Sequence, residues 1–212
     1  MNNNTPEIYP LFPQVVAKYN INRPFTEQEY SLVSEKANDI SKTNYNSQSN
    51  DYFVFNDARL KDVKQFCQES VQQYWNDIIK ADSNTVQPVM TQSWINYSNN
   101  GEGHQRHNHV NSFLSGVLYF SAQNDPIMFH SPVYSQLEIM STEWTLLNSK
   151  SYSIDIKTGD CVIFPSYLEH NVIHAERDYT RISIAFNVLP NGELGNPYSL
   201  TYGKIKVDNN GE

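Results

Sequence analysis

The sequence predicts a mainly β protein with flanking helices, arranged as a sandwich or barrel, and two observations predict it. Two helical patterns occupy the first third of the 212 residues. From about residue 86, short runs rich in Val, Ile, Tyr and Phe alternate with clusters of Gly, Pro, Asn and Asp. Because no clear boundary separates helices from strands, we predict a single domain over 1–212, with a helical N-terminal support (1–85), a β core (86–190) and a C-terminal extension (191–212).

The first helix is predicted to begin at Thr26, because Thr26 and Glu29 have the spacing of a capping box. Val33, Ala37 and Ile40 then recur at helical spacing. The second helix is predicted over about 60–79, and its apolar stripe at steps of three and four consists of Val63, Cys67, Val71, Trp75 and Ile78. Both helices are expected to pack against a sheet.

Seven short runs have the composition and length of β-strands. They are Val89–Tyr97, Phe113–Ser121, Ile127–His130, Tyr152–Ile156, Asp160–Phe164, Asn171–His174 and Arg181–Val188. Seven strands behind two helices are typical of an all-β sandwich or barrel with helices on one side.

Composition and charge argue against several functional classes. A formal net charge of −8, with only 15 Lys and Arg residues, makes nucleic acid an unlikely partner. No apolar run reaches the roughly 18 residues that span a membrane, and the N-terminus lacks a signal-peptide pattern. Two cysteines, Cys67 and Cys161, form no disulfide framework, so we expect a reduced, cytoplasmic setting.

The histidines are clustered around two predicted strands. His107 and His109 form a His-x-His pair, and in extended backbone two residues two apart point to the same side. His170, from a distant strand, would complete a set of three metal ligands with open positions for other ligands. Imidazole binds iron, zinc, copper and nickel, so the spacing leaves the metal open. A polar loop without metal is the alternative.

The other three histidines are given smaller roles. His104 precedes His107 by three residues and is expected on the other face of a strand, either in a loop or behind the ligands. His174 and His130 have no partner that the sequence identifies.

Arg181 and Ser183 begin the strand RISIAFNV and share one of its faces. A guanidinium and a hydroxyl directed into one cavity form a receptor for a carboxylate, since arginine binds carboxylates through two hydrogen bonds. A surface ion pair of Arg181 is the alternative. The apolar residues Ile182, Ile184 and Phe186 on the opposite face favour the receptor.

Four stretches in one order resemble the 2-oxoglutarate- and iron(II)-dependent oxygenases related to prolyl hydroxylases. They are SWINY (93–97), HNHVNSFLSGVLYF (107–120), GDCVIFPSYLEHNV (159–172) and RISIAFN (181–187). The resemblance covers the C-terminal half well and the N-terminal helices loosely. It implies that residues 86–190 form a double-stranded β-helix core (jelly-roll, cupin-like).

The resemblance also implies roles for individual residues. His107 and His170 would be the first and last Fe(II) ligands, and Arg181, helped by Ser183, would bind the distal carboxylate of 2-oxoglutarate. The further residues that it places around the co-substrate or metal are Tyr97, Tyr119 and Asn187. The implied activity is hydroxylation of a C–H bond in a small molecule, peptide or protein, and the relatives suggest a prolyl residue.

One departure from the wider superfamily concerns His109, which stands where that superfamily has Asp or Glu. It leaves three interpretations open: a working three-histidine site, a carboxylate supplied by Glu102 or Asp125, or an inactive metal binder. Two other functional classes also stay open. One is a cupin-like three-histidine dioxygenase that uses no 2-oxoglutarate, and the other is a non-catalytic jelly-roll binding module. The sequence indicates neither the substrate, whose contacts we expect in loops 41–52, 121–150 and 190–203, nor the oligomeric state.

Overall fold

The computed structural model describes residues 5–133, 137 and 139–208. The helices are α1 (Glu27–Lys36) and α2 (Lys61–Tyr74), and α2 continues into a π-helical turn, Trp75–Ile79. The strands within the described residues are β1 (Ala17–Asn20), β2 (Ile40–Lys42), β3 (Ser47–Ser49), β4 (Val86–Ser98), β5 (His104–His107), β6 (Leu114–Ser121), β7 (Gln123–His130), β8 (Ser151–Lys157), β9 (Asp160–Pro165), β10 (His170–Val172), β11 (Arg181–Leu194) and β12 (Gly203–Ile205).

The strands form two antiparallel sheets. In the described part of the chain, the major sheet has the order β1-β9-β6-β11-β4-β3-β2, with β12 paired to the far end of β11. The minor sheet has the order β5-β10-β7-β8. Several neighbours, such as β1 and β9 or β5 and β10, are distant in sequence, so the chain crosses repeatedly between the two sheets, as strands do in a jelly roll.

Two apolar layers follow from the alternation of side chains along the major sheet. One face of the major sheet packs against α1 and α2, with Leu32, Val71 and Phe186 among the buried residues. The opposite face packs against the minor sheet, where Tyr119 and Phe129 belong to the second buried cluster. The space between the two sheets is where the candidate site lies.

All seven predicted strands are present, five of them longer at one or both ends than predicted. The exceptions are β6, which begins one residue later, and β10, which ends at Val172, so His174 lies outside it. The sequence analysis did not predict β1, β2, β3, β5 or β12. These strands have three or four residues each and are rich in polar residues, so they carry almost no alternation of apolar residues.

The first helix begins as predicted. Thr26 Oγ1 accepts a hydrogen bond from Glu29 N, and Glu29 Oε2 accepts one from Thr26 N at 2.7 Å. The helix ends at Lys36, however, and Ile40 lies on β2. The expected helical role of Ile40 is therefore wrong, because the apolar spacing continued by chance beyond the helix end.

The second helix also matches its prediction except at its end. Val63, Cys67, Val71 and Trp75 are buried, whereas Ile78 is 41% exposed. The π-helical turn adds a residue to the last turn and rotates Ile78 away from the sheet.

Among the described residues, no helix combines the length and apolarity that crossing a membrane requires.

Candidate functional site

Three histidines meet between the sheets. His107 ends β5 and lies directly opposite His170, the first residue of β10, in the antiparallel ladder. His109 lies in the connection to β6, held by a hydrogen bond from its backbone N–H to the carbonyl of Ser166 at 3.0 Å. One ring nitrogen from each histidine lies within 4.8 Å of the other two, a spacing that can hold a metal ion.

The rings of His107 and His170 are oriented by backbone carbonyls. His107 Nδ1 lies 2.7 Å from Gln105 O, and His170 Nδ1 lies 3.0 Å from Leu168 O. Because a carbonyl only accepts, each Nδ1 carries the proton, and each Nε2 presents a lone pair. Ligating histidines usually have this arrangement, in which an acceptor behind the ring fixes the tautomer.

His109 is oriented by side chains instead. Its Nδ1 lies 2.8 Å from Asn187 Oδ1, and its Nε2 lies 3.3 Å from His107 Nε2. Two imidazole nitrogens that each lie about 2.1 Å from one ion at a right angle are separated by about 3 Å. The observed separation of the Nε2 atoms therefore suits a shared metal ion, and the donor set fits iron or another divalent transition metal.

Burial keeps the three rings neutral. The pKa of His170 falls to about 3, because burial disfavours the imidazolium and His107 lies beside it. Burial also lowers the pKa values of His107 and His109, although a hydrogen bond to an acceptor partly opposes this for each ring. Neutral imidazoles are the form that binds metals, so the site is ready to bind one near neutral pH.

His109 joins the group by a different route from the one predicted. The sequence analysis placed His107 and His109 on one strand, but β5 ends at His107. His109 reaches the group from the following loop, with its ring 5.7 Å from that of Trp94. The predicted proximity is therefore present, and its predicted cause, alternation along a strand, is wrong.

Neither acidic candidate supplies a ligand. Asp125 accepts hydrogen bonds from Arg177 Nε at 2.8 Å and from the Tyr179 hydroxyl. Glu102 accepts one from the Asn99 backbone N–H at 2.7 Å. Within the described residues the metal-binding group contains only histidines. The hypothesis of a carboxylate from Glu102 or Asp125 is thus wrong.

Arg181 lies buried on the inner face of β11, only 4% exposed. Its Nε and Nη2 are buried without a hydrogen-bond partner, and the nearest carboxylate oxygen, Asp125 Oδ2, is 4.0 Å from Nε. The guanidinium carbon lies 4.9 Å from the centre of the Tyr119 ring, and the Tyr119 hydroxyl is also buried without a partner. Buried donors are normally satisfied, so these groups, which we call the anion cradle, are suited to bind an anion.

Strand register decides which of the predicted neighbours share this cradle. Ser183 lies directly opposite Tyr119 on β6 and Asn96 on β4, so all three face the minor sheet. Tyr97 pairs with Ile182 and faces the helices, where its hydroxyl donates to Val33 O at 2.6 Å. The expectation that Tyr97 lines the pocket is therefore wrong, because it is one residue out of phase.

Trp94 and Asn96 are the inner-face residues that the sequence analysis missed, although both lie in the stretch SWINY. Alternation places both on the face opposite Tyr97, so they could have been found only with Tyr97 assigned to the helix-facing side.

His104 was also misplaced. Four residues of β5 (104–107) lie opposite three residues of β10 (170–172), so β5 contains a bulge. His104 and His107 consequently pair with residues on one face of β10, and their ring centres lie 4.6 Å apart. Burial, followed by the charges of His107 and Arg181, lowers the pKa of His104 to about 3. Its ring nitrogens have no hydrogen-bond partner among the described residues.

The remaining histidines lie outside the group. His130 Nε2 is 2.7 Å from Asn171 Oδ1, and His174 Nδ1 is 2.8 Å from Gly101 O. Both are therefore bonded within the protein and do not point to the three-histidine group.

Comparison with protein families gives one match. Residues 92–187 match the family described as "Putative 2OG-Fe(II) oxygenase". This segment contains the three clustered histidines, Arg181 and Ser183. No curated protein sequence matches the chain.

Solved structures give the fold. An oxidoreductase of the 2OG-Fe(II) oxygenase family from Burkholderia pseudomallei superposes with a TM-score of 0.55 at 9% identity, over 82% of this chain and 83% of that one. A Pseudomonas putida prolyl-4-hydroxylase gives 0.52 at 14% identity, over 82% and 92%. A Trichoplax adhaerens prolyl hydroxylase, in complex with a hypoxia inducible factor peptide fragment, gives 0.54 at 12%, over 82% and 83%. These similarities confirm the double-stranded β-helix.

Proposed function

We propose that the chain is an Fe(II)- and 2-oxoglutarate-dependent dioxygenase that hydroxylates a C–H bond, as the match of residues 92–187 to the 2OG-Fe(II) oxygenase family supports. One observation carries the proposal: three convergent imidazoles share the space between the sheets with a buried guanidinium whose Nε and Nη2 have no hydrogen-bond partner. A purely structural core would not bring three imidazoles together or leave buried guanidinium donors without hydrogen bonds. The metal end and the anion end together match a co-substrate that has a chelating end and a distal carboxylate.

His107, His109 and His170 are the proposed metal ligands, through their Nε2 atoms. Iron bound there would supply the activation of oxygen and the oxidation of 2-oxoglutarate, chemistry that no side chain provides. The protein's own contribution is to hold three neutral rings in position. Asn187, predicted from the sequence near the metal or substrate, contributes by accepting a hydrogen bond from His109 Nδ1.

Arg181 is the proposed receptor for the distal carboxylate of 2-oxoglutarate. Its two buried donors would form paired hydrogen bonds with that carboxylate. Ser183 and Tyr119, on the same face, would add hydroxyl donors. His104, unpartnered and close to His107, is available to donate to the same ligand. The apolar residues around this space would keep water away from the bound co-substrate.

The proposed substrate is a prolyl residue in a peptide or protein. Two structures with the same fold are prolyl hydroxylases, and one of them holds a peptide fragment. We further propose that residues 1–212 form one domain, because β1, β2 and β3 from the first 85 residues extend the same major sheet as the core strands. A cytoplasmic location is proposed on the two free, buried cysteines.

Anaerobic titration of the Fe(II)-loaded protein with 2-oxoglutarate tests the metal and co-substrate sites together. A visible charge-transfer band should appear with the wild-type protein. It should be lost in His170→Ala, which removes a ligand, and in Arg181→Ala, which removes the carboxylate receptor. His174→Gln, which changes a histidine outside the group, should retain the band.

Other outcomes favour the alternative functions. Iron binding without a band would support a three-histidine dioxygenase that uses no 2-oxoglutarate. This alternative is specific because His109 stands where a carboxylate is expected. No iron binding would support the binding module. If the band appears, succinate release and a one-oxygen mass increase in proline-containing peptides test the substrate class, and a band without peptide oxidation would overturn only that part.

A further inference from the structure

Three serine hydroxyls connect His109 to a backbone carbonyl. Ser115 Oγ lies 3.0 Å from His109 Nδ1 and 2.8 Å from Ser166 Oγ. Ser166 Oγ lies 2.9 Å from Ser112 Oγ, which lies 2.8 Å from Leu114 O. Ser115 and Ser166 are fully buried, so water cannot replace these contacts. We refer to Ser112, Ser166 and Ser115 as the serine chain.

The direction of the hydrogen bonds in the serine chain follows from counting protons. A hydroxyl has one proton to donate, and a carbonyl oxygen can only accept. Leu114 O takes the proton of Ser112, so Ser112 must accept from Ser166. Ser166 must then accept from Ser115. Since the Ser115 proton is used, Ser115 can only accept from His109, whose Nδ1 must therefore carry a proton.

We propose that the serine chain fixes the tautomer of His109 and thereby makes His109 a metal ligand. The metal part of this inference rests on the proposed function. A neutral imidazole has only one nitrogen with a free lone pair, so a proton on Nδ1 leaves Nε2 free for the metal. A carboxylate at this position, as in the wider superfamily, would need no such control.

His109 differs from the other two histidines in what lies behind it. His107 and His170 each have a backbone carbonyl, which fixes their tautomers without help. His109 has Asn187 and Ser115 instead. An amide can rotate to present its NH₂ group, and a hydroxyl can donate or accept, so neither group alone selects a tautomer. The anchored serine chain does.

Ser166→Ala is the most informative variant, because the Ser166 hydroxyl has no bond to the His109 ring and the Ser166 carbonyl, which accepts from His109 N–H, is kept. Its removal leaves the Ser115 proton without an acceptor, and that proton turns to His109 Nδ1. The proton of His109 then moves to Nε2, the atom proposed to bind the metal. Histidine ¹⁵N NMR of the metal-free protein should show this change, and affinity for Co(II) should fall about 10- to 100-fold.

Ser115→Ala should have the smaller effect, although Ser115 is the residue in contact with His109. It leaves only the Asn187 amide beside Nδ1, which can present its oxygen or its NH₂ group. The two tautomers should therefore be mixed rather than reversed, and Co(II) affinity should fall less than about tenfold. Ser70→Ala is the matched control, since Ser70 is a buried serine on α2 that bonds to Phe66 O at 2.9 Å. It should change neither measurement.

Two results would overturn the inference: a wild-type His109 protonated on Nε2 without metal, or a Ser166→Ala protein with the tautomer and Co(II) affinity of Ser70→Ala. If Ser166→Ala does not fold, Ser112→Ala, at the partly exposed end of the chain, should reverse the same hydrogen bonds. A wild-type protein that binds no Co(II) would contradict the proposed function, while the NMR measurement would still decide the role of the serine chain.

Discussion

The two faces of strand β11 have opposite chemistry. Toward the helices, Ile184, Phe186 and Val188 are completely buried in an apolar layer. Toward the minor sheet, Arg181 is buried with two donors unpaired, and Ser183 lies beside it. Burial on the first face stabilises the fold through the hydrophobic effect. Burial on the second face leaves donors without a partner in the protein, as expected where function opposes stability.

Phe186→Ala should have the largest effect on folding. The ring is fully buried and packs 5.7 Å from that of Phe55, so its removal leaves a cavity that the sheet cannot close. We expect the free energy of unfolding to fall by about 3–5 kcal/mol. Denaturant unfolding measures this, with Tyr198→Ala, at a residue 98% exposed, as the control. A loss below about 1 kcal/mol would show that the helix-facing layer is not the stabilising one.

Arg181→Met should separate binding from folding. Methionine keeps much of the side-chain volume and removes two buried donors that have no hydrogen bond, while Asp125, 4.0 Å from Arg181, keeps its bond to Arg177. The free energy of unfolding should therefore stay unchanged or rise. Binding of 2-oxoglutarate to the Co(II)-loaded protein should weaken by about 2–5 kcal/mol, or roughly 30-fold or more. Calorimetry measures the binding. A large loss of stability with retained affinity for 2-oxoglutarate would show that Arg181 stabilises the fold and does not bind the co-substrate.

Gly116→Ala tests the close packing that the helix-facing layer requires. A Cβ at position 116 would overlap the ring of Phe186, which lies against the glycine. We expect destabilisation of about 1–3 kcal/mol, because the ring must shift within a closed core. Gly203→Ala on β12 is the matched control, since a Cβ there meets no atom within 4 Å. Equal midpoints of thermal unfolding for the two variants would contradict the expectation.

Much of the fold could be predicted because its longer elements carry strong patterns. The capping box at Thr26, the stripe from Val63 to Trp75 and the seven apolar strands all have a local signal. Short strands such as β2 and β5 form because neighbouring strands pair with them, and that cause is not encoded in their own residues.

The candidate site could be predicted in its residues more than in its geometry. The three histidines and Arg181 stood out by chemical type, and the structure places the histidines together. Tyr97 was misassigned because a shift of one residue moves a side chain to the other face of a sheet. His104 was misassigned because a bulge, which depends on the pairing of β5 with β10, changes that phase. The serine chain was missed because its members are distant in sequence and have no distinctive spacing.

Two tyrosine-to-phenylalanine variants should have the smallest effects, and they compare the helix-facing and inner sides of the major sheet with the same chemical change. Tyr97→Phe removes a hydrogen bond to Val33 O on the helix-facing side, so unfolding free energy should fall by about 1 kcal/mol while 2-oxoglutarate affinity is unchanged. Tyr119→Phe removes a hydroxyl without a partner on the inner side, so stability should be kept or gained while affinity falls severalfold. Each variant is the control for the other. The reverse pattern would mean that the Tyr119 hydroxyl supports the fold, and the anion cradle would then consist of Arg181 and Ser183 alone.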